Sequence, residues 1–368
     1  MKLLRRTGRA LPHVVAAGTL LLVAACGSET ANPGADASDS PTTGASPTPT
    51  LFVESPLTTV GLQTGPAPAI AYAVNGRLVL PGGGGFDLPA QTFEVARLGD
   101  LTVVMGSGPS DSQPVTVLDA DGKAVRHDNA VGGGLAVNAD GDVIAWMGPD
   151  DHPRVLDRGG SRVVDLPDVT GGRRVVDVAG RIDCQEGGAG DEGGCTVLVN
   201  TDEGEHQSWV STSHGFSDWT GPIIRGVAFL HHADGGGILG YTKITDDSSC
   251  SGRWDSGPRV VWQTCDWRFL STPSQGATIL AGSAYADGFG DGRLGFLDVD
   301  GHLGHTWGSG PATIVGTPQW EDDEHVLAVV FEDDQWSVVR FGIDGTMEYA
   351  VPPQAGTDAD YPFLLQTT

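Results

Sequence analysis

Residues 51–368 alternate between short apolar runs and tight polar turns. Runs of four to seven residues rich in Val, Ile, Leu and aromatics recur along this stretch, separated by Asn-Gly or Asp-Gly pairs, and no amphipathic helical period interrupts them. Ala71-Tyr72-Ala73-Val74 and Arg77-Leu78-Val79-Leu80 flank Asn75-Gly76. Asp121-Gly122, Asp300-Gly301 and Asp344-Gly345 follow or separate similar runs. These pairs accept the positive φ angles of two-residue hairpin turns, so each marks a chain reversal. The pattern predicts an all-β chain built from units of about forty to fifty residues, each a four-stranded meander, the period of propeller blades.

The clearest unit is Leu135-Ala136-Val137-Asn138-Ala139-Asp140-Gly141-Asp142-Val143-Ile144-Ala145-Trp146. It resembles the strand-turn-strand signature of TolB-type and WD-type β-propellers, which implies a ring of radial sheets. The predicted units fall near 91–128, 131–167, 172–213, 220–275, 276–310 and 312–352. A further blade is shared by the two ends, with the hairpin 69–80 completed by Tyr361-Pro362-Phe363-Leu364-Leu365. The expectation is seven four-stranded blades, with six as the alternative, in a ring closed by pairing of N- and C-terminal strands, which removes exposed sheet edges. Ser211-Thr212-Ser213-His214-Gly215-Phe216-Ser217-Asp218-Trp219 resembles a degenerate Asp-box of sialidase-like propellers, in which the box is a structural turn.

The first fifty residues read differently. Lys2, Arg5, Arg6 and Arg9 precede an apolar run of twelve residues, 14–25. Spanning a bilayer takes about twenty, so this run is an export signal and no anchor. It ends in Val23-Ala24-Ala25-Cys26-Gly27 and resembles a bacterial lipoprotein signal. That resemblance implies cleavage after residue 25 and a diacylglyceryl group on Cys26, the new N-terminus. Two acyl chains hold a protein to a leaflet far more durably than one. Residues 26–50, almost without large apolar side chains and full of Ser, Thr, Pro, Gly and Asp, read as a disordered tether carrying the body at 51–368. The expected location is therefore the extracytoplasmic side of the cell membrane.

Charge narrows the partners. Removing residues 1–25 takes four basic residues and no acidic one, leaving 17 Lys+Arg against 47 Asp+Glu. So acidic a body argues against nucleic acid and against adsorption on anionic lipid. Three lysines against eighteen arginines, with 55 glycines, resemble proteins of high-GC genomes such as actinobacteria.

With Cys26 assigned to lipid, four cysteines remain, and an exported chain oxidises them. Three pairings can form; Cys184 with Cys195 and Cys250 with Cys265 close the shortest loops.

In a propeller the second-to-third strand connections share one face. The sequence reading assigns 106–114, 148–153, 184–195, 245–258 and 331–335 to that face, stiffened by both disulfides. The candidate binding rim is accordingly Asp150, Asp151 and His152; Asp246 and Asp247; Arg253, Trp254 and Asp255; and Glu332, Asp333 and Asp334. Arg and aromatic side chains among carboxylates suit a protein or carbohydrate partner.

Catalytic and metal motifs are weak by comparison. The Asp-rich turns at 119–122, 287–292 and 298–301 lack the spacing of a calcium loop, and hairpin chemistry explains them. His231-His232 and His302-Leu303-Gly304-His305 have no evident third ligand, so no metal and no cofactor are expected. Neither G-x-S-x-G nor H-E-x-x-H occurs, and no catalytic residue is assigned. The expected function is an envelope interaction module, the alternative an exported glycan-active hydrolase or lyase of sialidase-like build.

Overall fold

The computed structural model describes residues 53–368 except 110–111, 159–162, 181–193, 202–207, 214, 231–236, 246–247, 256–258, 275 and 287. The signal and tether at 1–50, Cys26 and Cys184 lie outside the described residues.

The described chain forms strands and turns with no α-helix. In order they are β1 (Val53–Pro56), β2 (Tyr72–Val74), β3 (Arg77–Val79) and β4 (Gly85–Asp87). Next come β5 (Thr92–Leu98), β6 (Leu101–Gly106), β7 (Gln113–Leu118) and β8 (Ala124–Ala130), then β9 (Ala136–Val137), β10 (Val143–Met147), β11 (Pro153–Asp157) and β12 (Val163–Asp165). The middle holds β13 (Gly172–Gly180), β14 (Cys195–Thr201), β15 (Ser208–Thr212), β16 (Phe216–Trp219), β17 (Arg225–Leu230), β18 (Gly237–Thr245), β19 (Ser248–Trp254) and β20 (Val260–Thr264). The last are β21 (Trp267–Ser271), β22 (Thr278–Ser283), β23 (Leu294–Asp298), β24 (Leu303–Gly308), β25 (Thr313–Trp320), β26 (His325–Glu332), β27 (Gln335–Gly342), β28 (Met347–Ala355) and β29 (Phe363–Thr367).

Four sheets are sequential four-stranded meanders: β9 to β12, β13 to β16, β17 to β20 and β25 to β28. The meander β21 to β24 gains β1 as a parallel fifth strand on β24. The sixth sheet runs β4-β3-β2-β29-β5-β6-β7-β8, in which the last strand pairs antiparallel with β2 and parallel with β5. Repeated meanders packed face to face in chain order define a β-propeller. Two boundaries differ from the sequence reading: β16, beyond the expected end of the unit 172–213, completes the sheet β13–β16, and β21, expected to complete the unit 220–275, opens the following sheet. Cys265-Asp266 is a bend and not a strand.

The core lies between consecutive sheets. Leu98, Val103 and Met105 meet Ile144, Trp146 and Leu156; Leu294, Phe296 and Trp307 meet Val326, Val339 and Phe341; Val338 and Trp336 meet Phe363 and Leu365. Burial of such side chains contributes about 1.5–3 kcal/mol each, which accounts for sheets that alone have too little core to be stable. The seam between β13–β16 and β17–β20 is more polar. There Asn200 bonds the backbone of Gly226, Ser208 Oγ accepts the Gly226 amide at 2.5 Å, and Asp177 accepts the Phe229 amide at 2.5 Å. Gly226 lacks a Cβ of necessity: one would sit 2.3 Å from Leu198 Cδ2.

The turns obey the chemistry read from the sequence. Asn75-Gly76 has φ of 52° and 78°. Asp119 accepts the amides of Asp121 and Lys123, and Asp298 those of Asp300 and His302. These aspartates cap their own turns. In the unit at 135–146, Asn138 Oδ1 accepts the amides of Asp142 and Val143, and its Nδ2 donates to Asp142 and to Gly180 O of the next sheet.

Between β1 and β2 the chain crosses the sheet β25–β28 at its rim. Arg340, buried with Glu321 and ion-paired to Glu321 and Glu348, donates to the carbonyls of Pro66 and Ala67.

Candidate functional site

Strand direction sorts the predicted rim onto two faces. Antiparallel meanders place the second-to-third connections, and those between sheets, on one face, and first-to-second and third-to-fourth connections on the other. Asp150, Asp151 and His152 join β10 to β11, and Asp333-Asp334 joins β26 to β27, so these residues share the first face. Asp246 and Asp247, between β18 and β19, lie outside the described residues. Arg253, Trp254 and Asp255 close β19 and therefore belong to the opposite face, which corrects the single rim expected for all eleven. The segment 184–195 joins β13 to β14, a first-to-second connection, so it too does not belong to the expected set. It contains Cys184, and Cys195 opens β14, buried and disulfide-bonded.

Several of these side chains hold the fold together. Glu332 is buried and accepts the Thr58 hydroxyl at 2.8 Å and the Thr59 amide and hydroxyl at 2.5 Å each. Asp150 pairs with Arg154 at 3.1 Å, and the same guanidinium reaches Asp128 and Asp165. That pairing, with a hydrogen bond from its own backbone, holds the Asp150 carboxyl below the usual range against a desolvation that opposes it. His152 Nδ1 lies 2.8 Å from Leu166 O. On the far face Arg253 donates to Val299 O at 3.1 Å, Asp255 pairs with Arg259 at 2.8 Å, and Trp254 is buried. Trp254 is thus core, not contact surface.

Among the described residues, the first face presents an aromatic cluster edged by carboxylates. Asp333 and Asp334 form a two-residue turn with φ of 49° and 56° and are exposed. Beside them Phe289, Phe331, Trp336 and Tyr361 pack with ring centroids 4.9–5.8 Å apart. Trp336 is fully buried and pinned by its Nε1–H to Thr357 O at 2.8 Å. Tyr361 is 56 % exposed and sits at φ 39°, a conformation bulky side chains rarely adopt. Tyr285, in the same β22–β23 connection as Phe289, is 51 % exposed. The sequence reading missed this cluster. Phe331 and Trp336 flank Glu332-Asp333-Asp334, and that was the available signal; Phe289 and Tyr361 arrive from connections whose meeting only the fold specifies.

One disulfide braces this face. Cys250 and Cys265 are bonded, 4.0 Å apart at Cα, and continue the β19–β20 ladder one step beyond Ser251↔Thr264. They stand at the base of the β18–β19 hairpin, whose exposed Lys243–Thr245 strand end runs past the β17 partner of Tyr241, Arg225. Ser249 Oγ donates to Ala284 O at 2.6 Å and ties this hairpin to the connection bearing Tyr285.

No protein-family model and no curated protein matches the chain. Among solved structures it is similar to the β-propeller domain of Cps50 (Swd1) from Myceliophteria thermophila, at 10% identity and TM-score 0.48 over 73% of this chain and 88% of that one. It is also similar to the β-propeller domain of the Trilobed protease from Pyrococcus furiosus (11%, TM-score 0.46, 71% and 84%). A third likeness is to TolB from Acinetobacter baumannii (10%, TM-score 0.42, 83% and 67%). The chain is a β-propeller on the order of its own sheets.

Proposed function

We propose that this chain is a lipid-tethered extracytoplasmic propeller that binds an envelope protein through the face of Tyr361 and Asp333-Asp334. The observation that carries it is the part-exposed aromatic cluster edged by unpaired turn carboxylates and set on a braced scaffold. Aromatic side chains bring large contact area at low entropic cost, and carboxylates around them select a partner segment with basic and apolar residues. Attachment rests on the lipobox resemblance at Cys26. The propeller is read as seven blades, the eight-stranded sheet being two that meet at β29; the pairing of β29 with β2 and core clusters on both of its sides support closure. The glycan-hydrolase alternative finds less support. Glu94 is occupied by the backbone amides of Leu135 and Gly134, and Asp177 by that of Phe229.

The test compares envelope pull-downs by the wild type and a triple variant, Asp333→Asn, Asp334→Gly and Tyr361→Gly, whose residues tolerate the local backbone. The expected result is a partner lost from the variant. Identical partner sets contradict the reading.

A further inference from the structure

Ala284 opens the β22–β23 connection, beside the exposed Tyr285, and its backbone is held on both sides by residues next to a disulfide. Its amide donates to Asp266 O at 3.3 Å, and its carbonyl accepts the Ser249 hydroxyl at 2.6 Å. Asp266 follows Cys265 and Ser249 precedes Cys250, so each half of the Cys250–Cys265 bond adjoins one arm of this clamp. Ser251, on the other side of Cys250, accepts the Phe269 amide at 3.3 Å and adds a tie to the same neighbouring sheet.

The two half-cystines differ in exposure. Cys250 is buried, its carbonyl taken by the Thr242 hydroxyl at 3.2 Å. Cys265 is exposed, in the bend that follows β20, the last strand of its sheet. Exposed disulfides are the labile ones, and exchange begins when a thiolate reaches one of the two sulfurs.

We propose that Cys250–Cys265 is a redox switch: a partner carrying a vicinal dithiol reduces it by way of Cys265, and reduction releases the connection that bears Tyr285. One thiolate of that partner attacks Cys265 Sγ. The bond to Cys250 breaks, and its electron pair leaves on Cys250 Sγ, which takes up a proton. The partner's second thiolate then attacks its own sulfur in the mixed disulfide, and the departing Cys265 sulfur takes up a proton. Two electrons and two protons pass to the protein, and the partner is left as a disulfide. In the reduced state only the strand ladder holds β19 to β20, so Ser249 and Asp266 no longer fix Ala284 between them. The proposal rests on the reading of this face as the binding surface and supplies its regulation.

The test treats the full-length oxidised chain with dithiothreitol in native buffer, follows reduction of Cys265 by mass spectrometry, and measures amide exchange at 284–285. The reduction rate is expected to rise in proportion to the reagent, and glutathione, trapped early in a parallel reaction, to be found on Cys265. Exchange at 284–285 is expected to rise about 5-fold or more on reduction, in the double variant Cys250→Ser, Cys265→Ser without reductant, and in oxidised Ser249→Ala. A reduction rate that levels off at the rate of unfolding, an adduct on Cys250, or unchanged exchange at 284–285 overturns the proposal. None of these readouts uses the envelope partner, so failure of the switch and failure of the pull-down are told apart.

Discussion

The Glu332 carboxylate receives both the amide and the hydroxyl of Thr59, each at 2.5 Å, across 273 positions of sequence. A residue in an exposed-looking acidic run is therefore a buried anchor for the segment between β1 and β2. Tyr349 reinforces it by donating its hydroxyl to Thr59 O at 2.8 Å. Replacing Glu332 with Ala leaves the Thr58 and Thr59 donors without this partner. The expected cost is about 2–3 kcal/mol in denaturant unfolding, with faster proteolysis near residue 60, whose Val is exposed. Asp333→Asn, one position on, should change stability by about 0.5 kcal/mol or less.

That contrast shows what the sequence could carry. Period-two apolar runs and Asn-Gly or Asp-Gly turns depend on neighbours a few residues apart, so the strands at 71–80, 135–147 and 335–346 were legible directly. Asn138 and Asp298 likewise fulfil local hydrogen bonds that their own turns dictate. Glu332 looks the same as Asp333 in sequence, because its partner Thr59 lies 273 positions away, whereas Asp150 pairs locally with Arg154, four residues on, and only Asp128, on the same guanidinium, comes from another sheet. Trp254 and Asp255 were placed on the wrong face for a related reason. The face of a loop follows from the strand count before it, and 245–258 reads as a single connection in the sequence although β19, Ser248–Trp254, runs through it and carries its end to the other face.

The polar seam gives a pH prediction. Burial pushes the Asp177 carboxyl up to about 7, against the lowering effect of the amides of Phe229 and Val178. Asp177 is half-buried as a residue, yet protein surrounds the carboxyl closely enough for desolvation to dominate. The folded state then holds this proton at pH values where the unfolded chain, near 4, has lost it. Stability from this group is full below about pH 4 and declines as pH rises toward 7 and beyond. The wild type should lose about 2 kcal/mol more than Asp177→Asn between pH 5 and pH 8 in urea titrations. Parallel pH profiles would remove the role given to Asp177.

Cys250–Cys265 closes a short loop within one sheet, with a sequence separation of 15. The double Ser variant is expected to lose about 3 kcal/mol. Because the bond stands at the base of the β18–β19 hairpin, amide exchange should increase most at 241–251. Uniform acceleration throughout the propeller would mean that the bond braces the whole ring and not this hairpin.

Tyr361 separates binding from folding. Glycine at this position relieves a left-handed backbone while giving up ring contacts with Trp336 and Phe289. Tyr361→Gly should therefore shift stability by about 1 kcal/mol or less, measured by thermal unfolding, while partner capture falls. A large loss of stability would make the ring a structural residue.

The most direct measurement places a photo-crosslinking amino acid at Tyr361 or Tyr285, on the face proposed to bind, and at Asp121 or Asp140, on turns of the other face. The probes are activated in intact cells making the full-length chain. The account predicts one discrete membrane-associated adduct from 361 and 285 and none from 121 and 140. Adducts of equal yield from both faces, or from 121 and 140 alone, would contradict it.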